Sequence, residues 1–429
     1  MGKKIVSFLF IVVSVILLSA SFAAEQKKQV LVIRVNGVIN PVSSEFIGKG
    51  IKKANEMQAE ALVIELDTPG GLDTSMRIIV KDIIGSSVPV IVYVSPSGAR
   101  SASAGVFIAM AAHVSAMSPG TNIGAAHPVG VGDKMDKTMA EKATNDAAAY
   151  IKSLAERTGR NAEWAEDAVR KSISATETEA LKEKVIDLVS EDLETLLKDI
   201  DGRKVKTSTG EKILATADAS VVKEEMSLRH KILDFITDPN VAYMLMLLGF
   251  YGIFFEFTNP GAIFPGVMGS ICLILAFYAF QTLPVNYAGL LLIILGIILF
   301  MLEIKIISHG VLTIGGIISM VIGSLMLFET TEPFMKLSLS LILPVVLITA
   351  FFFTFVVGLA YKAYKRKPVT GTEGLIGMKG TVHTEITKDG GMVLIHGELW
   401  SASSEELISI GDSVTVRSVS GLKLTVRKT

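Results

Sequence analysis

The sequence predicts three parts in series: an α/β domain, a bundle of membrane-spanning helices and a small all-β barrel. Three observations predict this. Strand-like apolar runs alternate with helical stretches over residues 30–200. Long apolar runs crowd into residues 241–361. The tail, 370–429, is short, alternating and rich in turn residues.

The N-terminus has the pattern of a secretory signal. Lys3 and Lys4 form a basic start, residues 5–18 an apolar core, and Ser19-Ala20-Ser21-Phe22-Ala23-Ala24 a small-residue cleavage region. A signal peptide over 1–24 is therefore expected, with an uncleaved anchor as the alternative, and either exports the domain that begins at residue 25. Residues 30–33, 61–66 and 88–94 read as buried strands, and 43–60 and 74–86 as the helices between them. That alternation implies a mostly parallel sheet with crossover connections. Residues 141–199 are largely helical in pattern, so the first domain is assigned 25–200. Residues 201–240 form a linker, with Asp201-Gly202 and Ser208-Thr209-Gly210 as turn or hairpin signals.

Five apolar runs come next, at 241–257, 263–283, 288–304, 309–328 and 338–361. The first is short, broken by Gly249 and Gly252 and ended by Glu256, so an interfacial segment is its alternative. Topology favours a span. An exported first domain and the basic cluster Lys362, Lys365, Arg366 and Lys367 after the last run require an odd number of crossings. The expected placement is a multi-pass protein of the cell (plasma or inner) membrane, with the first domain extracytoplasmic and the tail cytoplasmic. About five strands in the tail, with a hairpin at Gly390-Gly391, suit a closed barrel of the OB type. Trp400 is assigned to its core, and no basic-aromatic stripe marks a nucleic-acid binder.

Composition narrows the chemistry. A net charge of -1 gives no global attraction to nucleic acid or anionic lipid. The lone Cys272 rules out an intramolecular disulfide and a cysteine-based metal site. His113 and His127 have no partner at ligand spacing, so neither metal nor cofactor is expected.

Two segments carry chemistry. Asp67-Thr68-Pro69-Gly70-Gly71 comes directly after a strand, and its paired glycines let backbone N–H groups approach a ligand. Gly98-Ala99-Arg100-Ser101-Ala102-Ser103-Ala104-Gly105 also comes after a strand and precedes a helical run, 106–113. Small residues there permit a sharp elbow, with a serine in the positive end of a helix dipole. The N–H groups of Gly71 and Ala104 would then form an oxyanion hole, with Gly70 beside them. The bland alternative is that Ser101 or Ser103 only caps the helix.

Thr68-Pro69-Gly70-Gly71 with Ala102-Ser103-Ala104-Gly105 resembles the Clp/crotonase fold of serine peptidases. Met117-Ser118-Pro119-Gly120-Thr121-Asn122-Ile123-Gly124-Ala125 and Ala180-Leu181-Lys182-Glu183-Lys184-Val185-Ile186-Asp187 support this. The whole layout, with Gly397-Glu398-Leu399-Trp400-Ser401-Ala402 and Gly411-Asp412-Ser413-Val414 in the tail, resembles the long form of the NfeD family, membrane proteases paired with stomatin-like partners.

The resemblance implies Ser103 as nucleophile. It offers two bases. Lys142 stands before the helix reading Tyr150-Ile151-Lys152-Ser153-Leu154-Ala155, where long NfeD proteases carry a lysine base. His127, in Ala126-His127-Pro128, stands where soluble Clp proteases carry a histidine, but the matching aspartate position is Arg170. A lysine base needs burial to lower its pKa from about 10.4, whereas an unoriented imidazole is a poorer base. Lys142 is preferred, and Lys134 and Lys137 are taken as solvated neighbours. The resemblance further implies a peptide substrate of apolar character, a stomatin- or prohibitin-like membrane partner, and self-association into a homo-oligomer. A catalytically idle scaffold organising stomatin-like proteins is the competing function, and crotonase-type acyl chemistry a weaker third, because coenzyme A thioesters are scarce outside the cytoplasm.

Overall fold

The computed structural model describes residues 28–129, 137–258, 261–306, 308–328, 330, 335–357, 359 and 372–429. The expected signal peptide, Lys134 and the basic cluster at 362–367 lie outside the described residues. Packing divides the chain into two units, residues 1–294 with 319–344, and residues 295–318 with 345–429.

The α/β domain opens with β1 (Gln29–Asn36), α1 (Pro41–Glu56), β2 (Ala61–Asp67), α2 (Asp73–Gly85) and β3 (Val90–Val94). Then come β4 (Arg100–Ala102), α3 (Ala104–Ala111), β5 (Val114–Met117) and β6 (Asn122–Gly124). Helices α4 (Lys137–Thr158) and α5 (Ala162–Arg170) precede β7 (Ser174–Thr176), α6 (Glu177–Lys182), β8 (Leu188–Val189) and α7 (Leu193–Asp199). Six strands form a wholly parallel sheet in the order β11-β1-β2-β3-β5-β8, where β11 is Ser220–Glu224.

Both faces of this sheet are covered over its inner strands, which is why β1, β2 and β3 read as apolar runs. Leu31, Ile33, Leu62, Ile64, Val90 and Val92 pack into one layer. Val30, Val32, Val63, Ile91 and Tyr93 pack into the other. The alternation follows the two-residue period of a strand.

The predicted linker at 201–240 is corrected in its first half. A hairpin of β9 (Lys204–Thr207) and β10 (Gly210–Ile213) leads into β11, which pairs with β1 at the sheet edge. The α/β domain thus runs to Glu224. Helix α8 (Leu228–Ile236) comes after it. Asn40 caps α1 and also donates to Asp234 Oδ1 at 2.9 Å, which ties α8 to the domain.

Five apolar helices come next: α9 (Pro239–Thr258), α10 (Ile263–Phe280), α11 (Tyr287–Lys305), α12 (Val311–Met326) and α13 (Leu339–Phe351), the last continued by a π-helical turn, Phe352–Val357. They fall on the five predicted runs. Among the described residues, only α9 and α10 are both long and apolar enough to cross a bilayer, by length and composition. The first run, read with an interfacial alternative, is one uninterrupted helix. Its Gly252 meets Gly269 of α10 so closely that a Cβ on Gly252 would lie 2.8 Å from the Gly269 Cα. Small residues of this kind let apolar helices pack through their backbones.

In the second unit, β12 (Lys379–Thr384), β13 (Gly391–Ile395), β14 (Glu398–Ser403), β15 (Ser413–Ser420) and β16 (Lys423–Lys428) close a barrel in the order β12-β13-β14-β16-β15. The parallel β14–β16 pair among antiparallel neighbours is the OB arrangement expected. Trp400 is partly buried and packs against the barrel core rather than within it.

One buried ion pair organises the α/β domain. The Arg160 guanidinium donates from Nη1 to the carbonyls of Met110 and Ala112, both at 2.9 Å, and from Nη2 to Asp187 Oδ2 at 2.6 Å. Asp187 also accepts from Ser115 N–H (2.8 Å) and Arg203 (2.7 Å). Burial alone would raise the Asp187 pKa. The two guanidiniums and the N–H outweigh it and hold the carboxyl below the usual range.

Next to this pair, His113 Nδ1 accepts the Val90 N–H at 3.0 Å. Burial, aided by the Arg160 and Arg157 charges, lowers the His113 pKa to about 4. Its unfolded value is about 6.5. The stabilisation is therefore complete above pH 6.5 and is lost as pH falls through 4. We predict that acidification across this window removes up to about 3 kcal/mol of stability. Melting of the detergent-purified chain against pH checks it. His113→Gln should flatten the profile, and an equally steep fall in that variant would contradict it. We further predict that Arg160→Met destabilises the domain by about 3–5 kcal/mol, because it strands a buried carboxylate, a loss read by denaturant unfolding.

Candidate functional site

The site forms where two strand ends meet. Beyond β2, Thr68 N–H donates to the Arg100 carbonyl (2.8 Å) and Ala102 N–H to the Thr68 carbonyl (3.1 Å). This short parallel pairing lays the glycine loop against β4 and the serine just beyond it.

Gly70 has φ +123°, and a Cβ there would lie 2.6 Å from the Ser103 Cβ. No other residue type fits both that conformation and that approach. Gly71 forms a parallel bridge with Ile39, whose N–H donates to the Gly70 carbonyl and whose carbonyl accepts from Leu72, both at 2.8 Å. In such a bridge the central residue's own N–H points away from its partner strand.

Ser103 is held at φ 50°, ψ -113°, a conformation that costs a non-glycine residue roughly 1–3 kcal/mol. Its N–H donates to the Ala125 carbonyl at 3.1 Å. It stands at the N-terminus of α3, yet its hydroxyl makes no capping bond. The helix-cap alternative therefore fails for Ser103, whose side chain is left for other work. Ser101 is fully buried in β4 and does not reach the helix end as a cap either.

Gly71, Ser103 and Ala104 line one cavity of about 110 Å³, whose walls include Met76, Phe107 and Ala126. The N–H groups of Gly71 and Ala104 have no hydrogen-bond partner among the described residues. A serine hydroxyl beside two unpaired backbone donors is an arrangement that can stabilise a tetrahedral oxyanion.

The two candidate bases do not join this group. His127 is exposed, and its Nδ1 donates to the Val169 carbonyl at 2.9 Å. Its neighbours Ala126 and Pro128 line the cavity, while His127 itself does not. Arg170, at the position expected of an orienting aspartate, pairs instead with Glu166 (2.8 Å) and Asn145 (2.7 Å). Lys142 is exposed in the second turn of α4 and has no ion-pair or hydrogen-bond partner among the described residues. Ala147, further along the same helix, lines the cavity.

A polar cluster outside the motifs anchors α4. Arg77 bridges Asp73 and Asp146 and lies 4.6 Å over the Tyr150 ring, which stacks on Phe107. Only the Arg77–Asp73 pair has a sequence signal, an i,i+4 spacing.

This geometry belongs to the hydrolase type, carried by an α/β domain in a membrane protein. Family models match the chain in three blocks: the NfeD1b N-terminal domain over residues 29–218, the NfeD integral membrane domain over 240–359, and the NfeD-like C-terminal, partner-binding domain over 372–428. The chain belongs to the NfeD family. It is 39% identical over 414 residues to the membrane-bound protease PH1510 of Pyrococcus horikoshii, covering 93% of each chain. It is 30% identical over 423 residues to the membrane protein NfeD1b of Bacillus subtilis, covering 95% of this chain and 94% of that one. Among solved structures, it is similar to a variant of the 1510-N membrane-bound stomatin-specific protease in complex with a substrate peptide. That match has 40% identity and a TM-score of 0.47, over 49% of this chain and 99% of that one. The C-terminal domain of the stomatin operon partner protein 1510-C of Pyrococcus horikoshii matches at 40% identity with a TM-score of 0.13, over 14% of this chain and 95% of that one.

Gly70→Ala tests the glycine approach. The added methyl must push Ser103 aside, so peptide turnover is expected to fall by about 100-fold or more, the scale of losing an oxyanion donor. A turnover within threefold of the parent would contradict the geometry.

Proposed function

We propose that the chain is a membrane-bound serine endopeptidase of the Clp/crotonase-like type that cleaves apolar segments, with a stomatin- or prohibitin-like membrane protein as partner and substrate source. The observation that carries this is Ser103 on its strained turn, uncapped, beside the unpaired N–H groups of Gly71 and Ala104. The substrate would lie along the Gly70-Gly71 loop. Ser103 Oγ attacks the scissile carbonyl, and the two N–H groups hold the oxyanion, with Gly70 clearing the approach.

The proposed base is Lys142, as the family resemblance implies. A lysine accepts a proton at neutral pH only when desolvated. Its exposure here therefore requires that substrate binding close the first turns of α4 over the cavity. His127 is the alternative base. Against it stand its outward direction and the Val169 carbonyl on Nδ1, since a carbonyl orients the ring without stabilising an imidazolium as a carboxylate does.

The proposed layout is a signal peptide at 1–24, an exported protease domain, five crossings and a cytoplasmic OB-type tail that binds the partner. Supporting the five crossings, the start of α9 meets the start of α13, where Ser338 N–H donates to Asn240 Oδ1 at 3.0 Å. The residues just before α11 likewise meet those just after α12, where Asn286 N–H donates to the Leu327 carbonyl at 2.8 Å. Such pairing of ends belongs to helices that alternate in direction. The α/β domain is also proposed to self-associate, by resemblance to its family.

The exposure of Lys142 favours one competing reading, an idle scaffold. Labelling with a serine-reactive fluorophosphonate separates the two. The parent chain in detergent should label and Ser103→Ala should not. Lys142→Ala should label at least about 100-fold more slowly, within the range for loss of a general base, and His127→Ala should label like the parent. Loss in His127→Ala with Lys142→Ala intact would transfer the base role to His127. No labelling and no peptide turnover by the parent would establish the scaffold.

A further inference from the structure

Met335 lies in the connection between α12 and α13, on the membrane side of the chain, yet it is only 5% exposed. It lines the Ser103 cavity together with Met76, Phe107 and Ala126. It also lines a larger cleft of about 500 Å³ between the α/β domain and the helices, bounded by Asn40, Leu72, Asp234, Val241 and Leu283. The two cavities therefore share one side chain. They also divide the glycine loop between them, for Gly71 faces the Ser103 cavity and Leu72 the cleft.

Described residues on either side of Met335 are anchored to other helix ends. Before it, Phe328 bridges to Val285 ahead of α11. After it, Ser338 N–H is held by Asn240 at the start of α9. An unbranched thioether is well suited to fill such an irregular apolar boundary.

We infer that Met335 is a specificity-determining residue: it forms the outer wall of the Ser103 pocket and so sets the size of substrate side chain the pocket accepts. The inference rests on the protease reading above. The α/β domain alone would present an open-ended pocket, and the helices would complete it. Beyond the wall, the cleft borders Pro239, Val241 and Leu283 at the helix ends.

The test uses the full chain in detergent and fluorogenic apolar peptides that differ only in the residue before the scissile bond: Ala, Leu, Phe or Trp. Met335→Ala removes three heavy atoms from the wall and joins the pocket to the cleft. The ratio of kcat/KM for Phe over Leu should rise about tenfold, the low end of what a hydrophobic pocket discriminates. Met335→Trp should reverse the order and retain cleavage only after Ala. Fluorophosphonate labelling of Ser103 should remain readable in both variants, which shows that the fold and the serine survive the substitution. If both variants label and cleave with the parent's preferences, Met335 is not the wall and the inference is overturned. If a uniform loss across all four peptides accompanies lost labelling, Met335 serves the fold rather than selectivity, which also overturns it. If the parent itself neither labels nor cleaves, the protease reading falls and takes this inference with it.

Discussion

The arrangement depends on how a short buried helix is terminated. Helix α3 has eight residues, all buried, and Ser103 sits at its head. The last carbonyls of any helix lack partners within it, and here water has little access to supply them. Arg160 does so from 50 and 48 residues away in sequence, donating to the carbonyls of Met110 and Ala112. A cation at that end also complements the helix dipole. The charge so buried needs an anion, and Asp187 is that anion. Asp187 in turn fastens β5 through Ser115 and the segment before β9 through Arg203. One ion pair thus fixes α3 along its axis, and the head of α3 is where Ser103, the proposed nucleophile, stands.

A fixed helix is what makes the strain at Ser103 affordable. A serine with φ 50° would relax if α3 could slide or rotate. Three constraints prevent it: the capped C-terminus, the Ser103 N–H bond to Ala125, and the Gly70 backbone pressed against the Ser103 Cβ. The same constraints leave the two donors of Gly71 and Ala104 unpaired. Their desolvation is tolerable because the cavity is accessible rather than sealed, and because these donors are few.

Much of this was legible in sequence where the signal is local. Strands covered on both faces appear as apolar runs, and Gly70-Gly71 and Ala102-Ser103-Ala104-Gly105 are contiguous motifs. The end of the α/β domain was not legible. Edge strand β11, Ser-Val-Val-Lys-Glu, is paired on one side only and half exposed, so it has no apolar run to reveal it. Arg160–Asp187 and Arg77–Asp146 escaped for another reason. They join residues 27 and 69 apart, and nothing in the spacing of two charges indicates a contact across that distance. His127 shows a third limit. Its segment does reach the cavity through Ala126, Pro128 and Val129, but the imidazole itself is exposed and bonded to the Val169 carbonyl, a contact 42 residues away that spacing does not reveal.

The division of labour between domains comes from the same local logic. On the reading proposed above, the glycine loop must be open at the edge where the Gly71 N–H is unpaired, because the space that side chains on Gly70 and Gly71 would take is already filled by Ser103 and Ile39. A domain that left this side to bulk water would hold its oxyanion donors in a high dielectric, where they contribute least. Apolar cover is therefore an advantage, provided that a peptide can still enter. Met335, with only 5% of its surface exposed, supplies such cover from the helical part of the chain without adding a charge or a hydrogen-bonding group. Met335 is close in sequence to Ser338, which is held by Asn240 at the start of α9. With Met335 as its inferred wall, the Ser103 pocket therefore takes a size that depends on how the helix ends pack.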